Sequence, residues 1–369
     1  MNKLYLATTI FVIISLLVCC NRNIDSDYFN GDIQYFDDSH KIIKNVTSKS
    51  VSLDDGIQTG MIAVYDSLLI CWSPKYQDHF FSIINLDTGK EIGLFCEKGQ
   101  GPREASSVNC IFQLFKKEND LCTFLWGYNQ SRLFLWNISQ SIEKGMTVYD
   151  TIVTYEKNRY FFLFYQPDDI LYVNRPSDIL NREEATTPFY EKRTISTQEV
   201  IRKYLIYKEP LLRNKDATKL EYSFYTWDVI KPDGSKIAQA MRYLPQINIL
   251  DTHTGHVVGY RMKNSPDFSF FQNDTEINSM NIYYFNIHAD NNYIYATYWG
   301  KEMWNDRIGD EVPFFNRIHV FDWSGKQIYE LVTDRSFLRI WFDPVRNRLY
   351  TIDTNTDDIY YIDLFELDL

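Results

Sequence analysis

The chain has 369 residues, 45% hydrophobic and 24% charged, the proportions of an ordinary globular protein, which argues against wholesale disorder and against a polytopic membrane protein. Aromatic residues reach 16% while glycine occupies only 15 positions; flat rings suit a pleated surface, so this load favours strands. The formal net charge of −11, with no local basic stripe, argues against a nucleic-acid partner.

The first element is an export signal. Lys3 precedes an apolar run from Leu4 to Cys20, broken by Thr8, Thr9 and Ser15, which is too short for a comfortable membrane span. The ending Leu16-Leu17-Val18-Cys19-Cys20 has the layout of a bacterial lipobox. Cys20 is the expected lipid-bearing residue, because the position before the cut prefers a small side chain; Cys19, after Val18, is the alternative. The expected organisation is a signal peptide over 1–19, a polar tether over 20–39 and one folded body over 40–369.

Self-similarity organises that body. Phe81–Gly93 reads as an alternating strand, a tight turn through Asp87 and Gly89, and a second strand. Ile247–Val258, with Asp251 and Gly255, and Ile318–Ile328, with Asp322 and Gly325, repeat the pattern. A degenerate copy turns at Asn137, and a last one stops just after Asp363. Asp and Asn close such turns through a short acceptor side chain, and Gly supplies positive φ. A second kind of hairpin precedes these: Val229–Ala238 turns through Pro232-Asp233-Gly234, and Phe342–Tyr350 turns around Pro344. The offset from Pro232 to Asp251 equals that from Pro344 to Asp363. Each unit is therefore a four-stranded antiparallel blade. With Asp169–Asn174 as the remnant of one more, six units are expected, which is an all-β six-bladed propeller. The aromatic load is then packing between blades. Because the chain ends after the third strand of the last blade, the closing strand is expected from the N-terminal part, somewhere within His40–Ser52, which contains Lys41–Val46. Two packed β-sandwiches are the competing architecture. Thr194–Leu205 places Val200, Ile201, Tyr204 and Leu205 at helical spacing after a Ser/Thr cap, so a short helix on the third blade is expected there.

The blade Lys231–Ala238 followed by Ile247–Gly255 resembles the blade signature of TolB-type propellers. Glu97–Glu104, with its Gly99-Gln100-Gly101-Pro102 core, resembles a stretch of the six-bladed propeller lipoproteins of Bacteroidetes. The resemblance covers most of the chain, best over 60–105 and 225–369. It implies the fold and an exported, lipid-anchored address in the cell envelope, expected at the outer membrane, and it carries over no catalytic residue.

Chemistry is harder to find. Gly99–Pro102 lacks the lysine and hydroxyl of a phosphate loop and reads as an inter-blade turn. No nucleophile elbow occurs. Cys71, Cys96, Cys110 and Cys122 form an even set in an oxidising compartment. That is compatible with two disulfides in three pairings, or with buried thiols acting as small apolar groups. No metal-ligand spacing is present, and no cofactor is expected. Asp66, Asp228, Asn286 and Asp343 fall near first strands or the turns after them, so an ion-dependent hydrolase or lyase, with calcium in the central channel, is the alternative function. The leading expectation is a binding or scaffold module. Trp299, Trp304 and Arg307, in an insertion read as lying outside the strand pattern, are the candidate anchors for an envelope protein or a glycan.

Overall fold

The computed structural model describes residues 25–54, 60–127, 129–154, 162–175, 187–208, 224–269, 281–302 and 315–369. A short helix (Asp25–Tyr28) and three strands, β1 (Asp32–Phe36), β2 (Ile42–Val46) and β3 (Lys49–Ser50), precede the repeat. Blade 1 is β4 (Met61–Tyr65), β5 (Leu68–Trp72), β6 (His79–Asn85) and β7 (Glu91–Glu97). Blade 2 is β8 (Phe115–Lys117), β9 (Asp120–Gly127), β10 (Arg132–Asn137) and β11 (Tyr149–Thr154). Blade 3 is β12 (Leu163–Gln166), β13 (Ile170–Arg175), β14 (Phe189–Thr194) and β15 (Val200–Leu205). Blade 4 runs β16 (Thr226–Ile230), β17 (Lys236–Met241), β18 (Gln246–Asp251) and β19 (Val257–Met262). Blade 5 runs β20 (Asn281–Ala289), β21 (Tyr293–Glu302), β22 (Arg317–Asp322) and β23 (Gln327–Thr333). Blade 6 has β24 (Phe337–Asp343), β25 (Arg348–Asp353) and β26 (Ile359–Asp363) from the C-terminal part, and β3 as its outer strand. The six-bladed propeller is thus the observed fold.

The turn chemistry works as the sequence implies. Asp251 Oδ1 accepts from the amides of His253 (3.0 Å) and Thr254 (2.7 Å), and Asp322 Oδ1 from the amide of Ser324 (2.8 Å). Gly255 and Gly325 follow at φ 81° and 83°, backbone that a Cβ would strain. In blade 1 the capping residue is Asn85, which accepts from the amides of Asp87 and Thr88. In blade 2 Asn137 caps a two-turn helix (Ile138–Lys144) that replaces the tight turn. The remnant in blade 3 is its second strand, β13, entered through Asp168 and Asp169, both at positive φ.

Aromatic rings fill the seams between blades. Phe81 meets Trp136 at 5.0 Å between blades 1 and 2, Phe115 meets Tyr165 at 4.1 Å between 2 and 3, and Tyr295 meets Phe342 at 5.7 Å between 5 and 6. The ring closes where Trp341 Nε1 of blade 6 donates to Val64 O of blade 1 at 2.8 Å.

The closing strand comes from His40–Ser52, as expected: Lys49–Ser50 pairs antiparallel with β26, while Ile42–Val46 pairs parallel with β23 as a fifth strand of blade 5. Two expectations are corrected. The stretch expected as a tether is folded from Asp25 onward, and β1 pairs parallel with β19 as a fifth strand of blade 4. Thr194–Leu205 is not a helix: the chain turns after β14 and returns as β15, an exposed outer strand whose residues lack a buried–exposed alternation. The four cysteines are free thiols, Cys71, Cys96 and Cys122 buried and Cys110 partly so. Burial pushes the Cys71 and Cys122 thiols up to about 12, so they behave as small apolar side chains.

Candidate functional site

Neighbouring strands within a blade are antiparallel. The starts of the first strands therefore share one side of the ring with the ends of the second and fourth strands. The connections on that side include 98–114, 176–188, 206–225, 263–280 and 303–316, whereas those on the other side, such as 66–67, 231–235, 252–256 and 323–326, are short apart from 138–148, which carries the helix of blade 2. Long connections on a rigid frame are where binding surfaces are built. The Gly99–Pro102 stretch lies on this side as an inter-blade turn: Glu104 accepts from the Gly101 amide at 2.9 Å, and Arg132 donates to Gly101 O at 2.9 Å.

The six innermost segments converge on the axis and nearly fill it. The axial space is lined by Met61, Cys110, Phe162, Trp227, Asp228, Asn286, His288, Arg339 and Trp341, and has about 30 Å³ free, room for a water molecule. Asp228 Oδ2 accepts from Tyr190 Oη (2.6 Å), Gln239 Nε2 (2.7 Å) and Asn174 Nδ2 (3.3 Å), tying blade 4 to blade 3. Burial pushes its carboxyl up to about 6 against those hydrogen bonds. His288 is held neutral, its pKa lowered to about 3 by burial and then by Arg339, and its ring lies 4.4 Å from that of Trp341.

The residues expected to hold a central ion serve instead as ties between blades. Asn286 Oδ1 accepts from the Ile340 amide (2.9 Å), joining blades 5 and 6. Asp343 Oδ1 accepts from the Asp66 amide (3.0 Å), joining blades 6 and 1 at the turns of the short-loop side. Asp66 itself meets Arg346 at 3.3 Å. These groups are not gathered around one point. Among the described residues, the trio with ligand-type atoms within 4.8 Å is Asp38, His319 and Glu330. It sits at the outer edge of blade 5, where Lys41 already pairs with Glu330 at 2.5 Å.

On the long-loop side the axis widens into a cleft of about 420 Å³ between blades 6 and 1, lined by Met61, Trp72, Ser73, Lys75, Phe285, Arg339, Ile352, Asp353 and Asp357. Its walls are largely apolar, and its floor is a cation. Arg339 stands on the third residue of β24, with its guanidinium 4.6 Å from the Trp227 ring centroid and Nη1 directed at Met61 Sδ (2.8 Å). No carboxylate among the described residues pairs with it, whereas Asp353 in the same cleft pairs with Arg335 at 3.5 Å. Lys75 adds an exposed ammonium at the rim. An apolar cleft with a partly buried guanidinium at its base, paired with no carboxylate among the described residues, suits a ligand carrying a carboxylate on an apolar body.

Of the residues expected as anchors, Trp299 is corrected: it lies inside β21, 9% exposed, with its ring 5.6 Å from that of Phe315. It is a packing residue of blade 5. Trp304, Arg307 and Cys20 lie outside the described residues. Arg339 was missed because a lone arginine in a strand carries no motif. The available signal was its place near the start of a first strand, the position that faces the axis.

Two solved structures show the same fold. A member of the DUF4221 family from Bacteroides vulgatus superposes with a TM-score of 0.55 at 11% identity, covering 86% of this chain and 98% of that one. A protein described as exported, from Bacteroides fragilis, gives 0.52 at 12% identity, covering 89% and 98%. No curated protein matches the sequence. The family model described as TolB-like 6-blade propeller-like matches residues 43–343, and with six blades closed around a filled axis the chain belongs to that TolB-like six-blade propeller family.

Proposed function

We propose that this protein is a binding module of the cell envelope, held at the outer membrane by lipid on Cys20. It receives an envelope partner in the cleft on its long-loop side, through a carboxylate that pairs with Arg339. The observation that carries this reading is the guanidinium at the base of an apolar cleft with no carboxylate of its own. A partly buried guanidinium without an anion of its own pairs readily with a ligand's carboxylate. The ligand's apolar part lies against Trp72 and Phe285, and Lys75 contributes at the rim. An exported relative of the same fold supports the address, and the lipobox-like ending at Cys20 supports the anchor. The partner is a protein segment with an acidic side chain or a free C-terminus; an acidic glycan offers the same carboxylate.

A photo-crosslinking residue placed at Lys75 in intact cells tests this, with the same group at Met146, which is 59% exposed on the other side of the ring, as control. The expected result is one abundant crosslinked species from position 75 that disappears with Arg339→Glu and is absent from position 146. Equal products from both positions, or a yield indifferent to Arg339→Glu, would overturn the cleft as the binding site.

A further inference from the structure

The wall of the propeller next to the point where the folded chain begins is apolar. On β15, the outer strand of blade 3, Val200, Ile201 and Leu205 are 37%, 51% and 54% exposed, and Tyr35 on neighbouring β1 is 53% exposed. Scattered apolar side chains need no explanation. Three on one edge strand, whose outer rim pairs with no strand among the described residues and is bonded at its end by Asn30, are what soluble proteins ordinarily avoid. Blades 4 and 5 have this edge covered by β1 and β2; among the described residues no strand covers it in blade 3.

The position of the chain start decides what covers it. Asp25 is buried and immobile: its carboxylate takes Arg261 Nη1 at 2.8 and 2.9 Å and the Phe268 amide at 3.3 Å. A few residues on, the Asn30 amide donates to Ile206 O at 3.0 Å, and Asn30 Nδ2 donates to Leu205 O at 2.9 Å, at the end of β15 itself. Only residues 21–24 separate Asp25 from Cys20. Fully extended, that leash spans at most about 18 Å. A lipid on Cys20 keeps its sulfur at headgroup level, so the wall around Asp25 is held against the bilayer. A long tether would have left the orientation free.

We propose that the propeller stands edge-on to the membrane, with β15 and β1 facing the bilayer and Ile201, Leu205 and Tyr35 entering its interface. This rests on the lipid anchor at Cys20 proposed above. Lys203 on the same strand is a neighbouring cation and Asp32 on β1 an opposing anion, with side chains 58% and 77% exposed, while Arg202, also exposed on that strand, donates to the His253 and Thr254 carbonyls of blade 4. The contact is therefore apolar and does not depend on anionic lipid. The cleft then opens parallel to the membrane, towards partners within or alongside it.

The full-length lipoprotein, purified with its anchor and reconstituted in phosphatidylcholine vesicles containing nitroxide-labelled lipid, gives the test. A fluorophore is attached in separate variants through Ile201→Cys, Leu205→Cys, Met146→Cys and Val345→Cys; the native thiols are buried or partly so. Quenching at 201 and 205 is expected to exceed that at 146 and 345 several-fold. An intact mass recorded on each sample separates the two readings. Lipid on Cys20 with uniform quenching overturns the orientation alone, whereas a mass without lipid removes the anchor and the orientation together.

Discussion

The ring has two unlike halves. Blades 4, 5 and 6 are fastened from outside by the N-terminal segment, which supplies a fifth strand to blade 4, a fifth to blade 5 and the fourth to blade 6. Among the described residues, blades 1, 2 and 3 consist of consecutive strands only and leave β7, β11 and β15 as edges with no further strand. The fastening is reinforced by buried charge. Arg261, fully buried in blade 4, holds Asp25, and Glu330, 1% exposed in blade 5, is held by Lys41 at 2.5 Å and Arg317 at 2.7 Å. A propeller needs one closing strand to join its ends; this one uses a belt across half its circumference. The difference teaches where stability is concentrated. The fastened half gains pairing between residues more than two hundred positions apart, and the open half relies on its seams of rings and on hydrogen-bonded ties such as Asp228.

The largest effect that would break this comparison is at Arg261. Replacing it with Ala leaves Asp25 buried without its cation, and severing a buried pair costs about 3–5 kcal/mol. The expected result is a urea midpoint well below wild type. Arg261→Met combined with Asp25→Leu should recover much of the loss, since both charges then leave the interior together. The same truncation at Arg317, whose side chain is half exposed, should cost less than about 1 kcal/mol.

Next in size is Gly31→Ala. A Cβ there would lie 2.0 Å from the Val257 carbonyl oxygen, so β1 could not dock on β19 without backbone movement, at a cost of roughly 2 kcal/mol. Gly145, capping the helix of blade 2, is the matched position in the open half: its φ is 64° but nothing lies within 4 Å. Its change to Ala should cost only about 1 kcal/mol, for the left-handed backbone alone. Thermal denaturation of the two variants sharpens the contrast.

Acid separates the belt from the seam between the halves, because the two carboxyls respond with opposite sign. Burial would raise Glu330, but hydrogen bonds from His319 and Lys41 outweigh it and hold the group at about 2, below its ordinary 4.5. The stability it supplies is present above pH 4.5 and lost as pH falls towards 2. Asp228, at the seam of blades 3 and 4, is raised from 3.8 to about 6. It costs stability at neutral pH, and that cost disappears as pH falls from 6 to below 3.8. Asp228→Asn should therefore flatten the melting temperature between pH 4 and 6, and Glu330→Gln should flatten it below 4.5. An unchanged profile in both variants would contradict the assignment.

Legibility followed the same division. The hairpins of the body announced themselves because Asp251, Asp322 and the glycines after them do a local job that short sequence can encode. The belt did not, since β1 recognises β19 across the whole chain, and the brief polar–apolar alternation of Asp32–Tyr35 carries no sign of its partner. β15 was read as a helix for a physical reason: an exposed edge strand lacks the alternation that marks a half-buried one, and Val200, Ile201, Tyr204 and Leu205 happen to fall at helical spacing. Trp299 was placed in a loop because β21 runs four residues, Trp299–Glu302, past its pairing with β22. For the site, the axis-facing carboxylates were found but their role was not. Whether Asp228 binds an ion or ties two blades depends on Tyr190 and Gln239, which only the fold brings near.

The smallest effect is also the most local. In an edge strand, alternate amides point to solvent, while in a covered strand both sets are bonded. Hydrogen exchange on the native protein should show fast alternate amides in β15 and slow exchange in β19, which β1 covers over Val258–Met262. Gly31→Ala should convert one set of β19 amides to fast exchange while leaving β17 and β18 protected. If β15 and β19 exchange alike in the wild type, the belt adds pairing on paper but no protection, and the two halves of the ring are equivalent after all. If only β19 is slow, its extra protection comes from β1, and losing it in Gly31→Ala while β17 and β18 stay protected shows that β1 releases separately from the rest of blade 4.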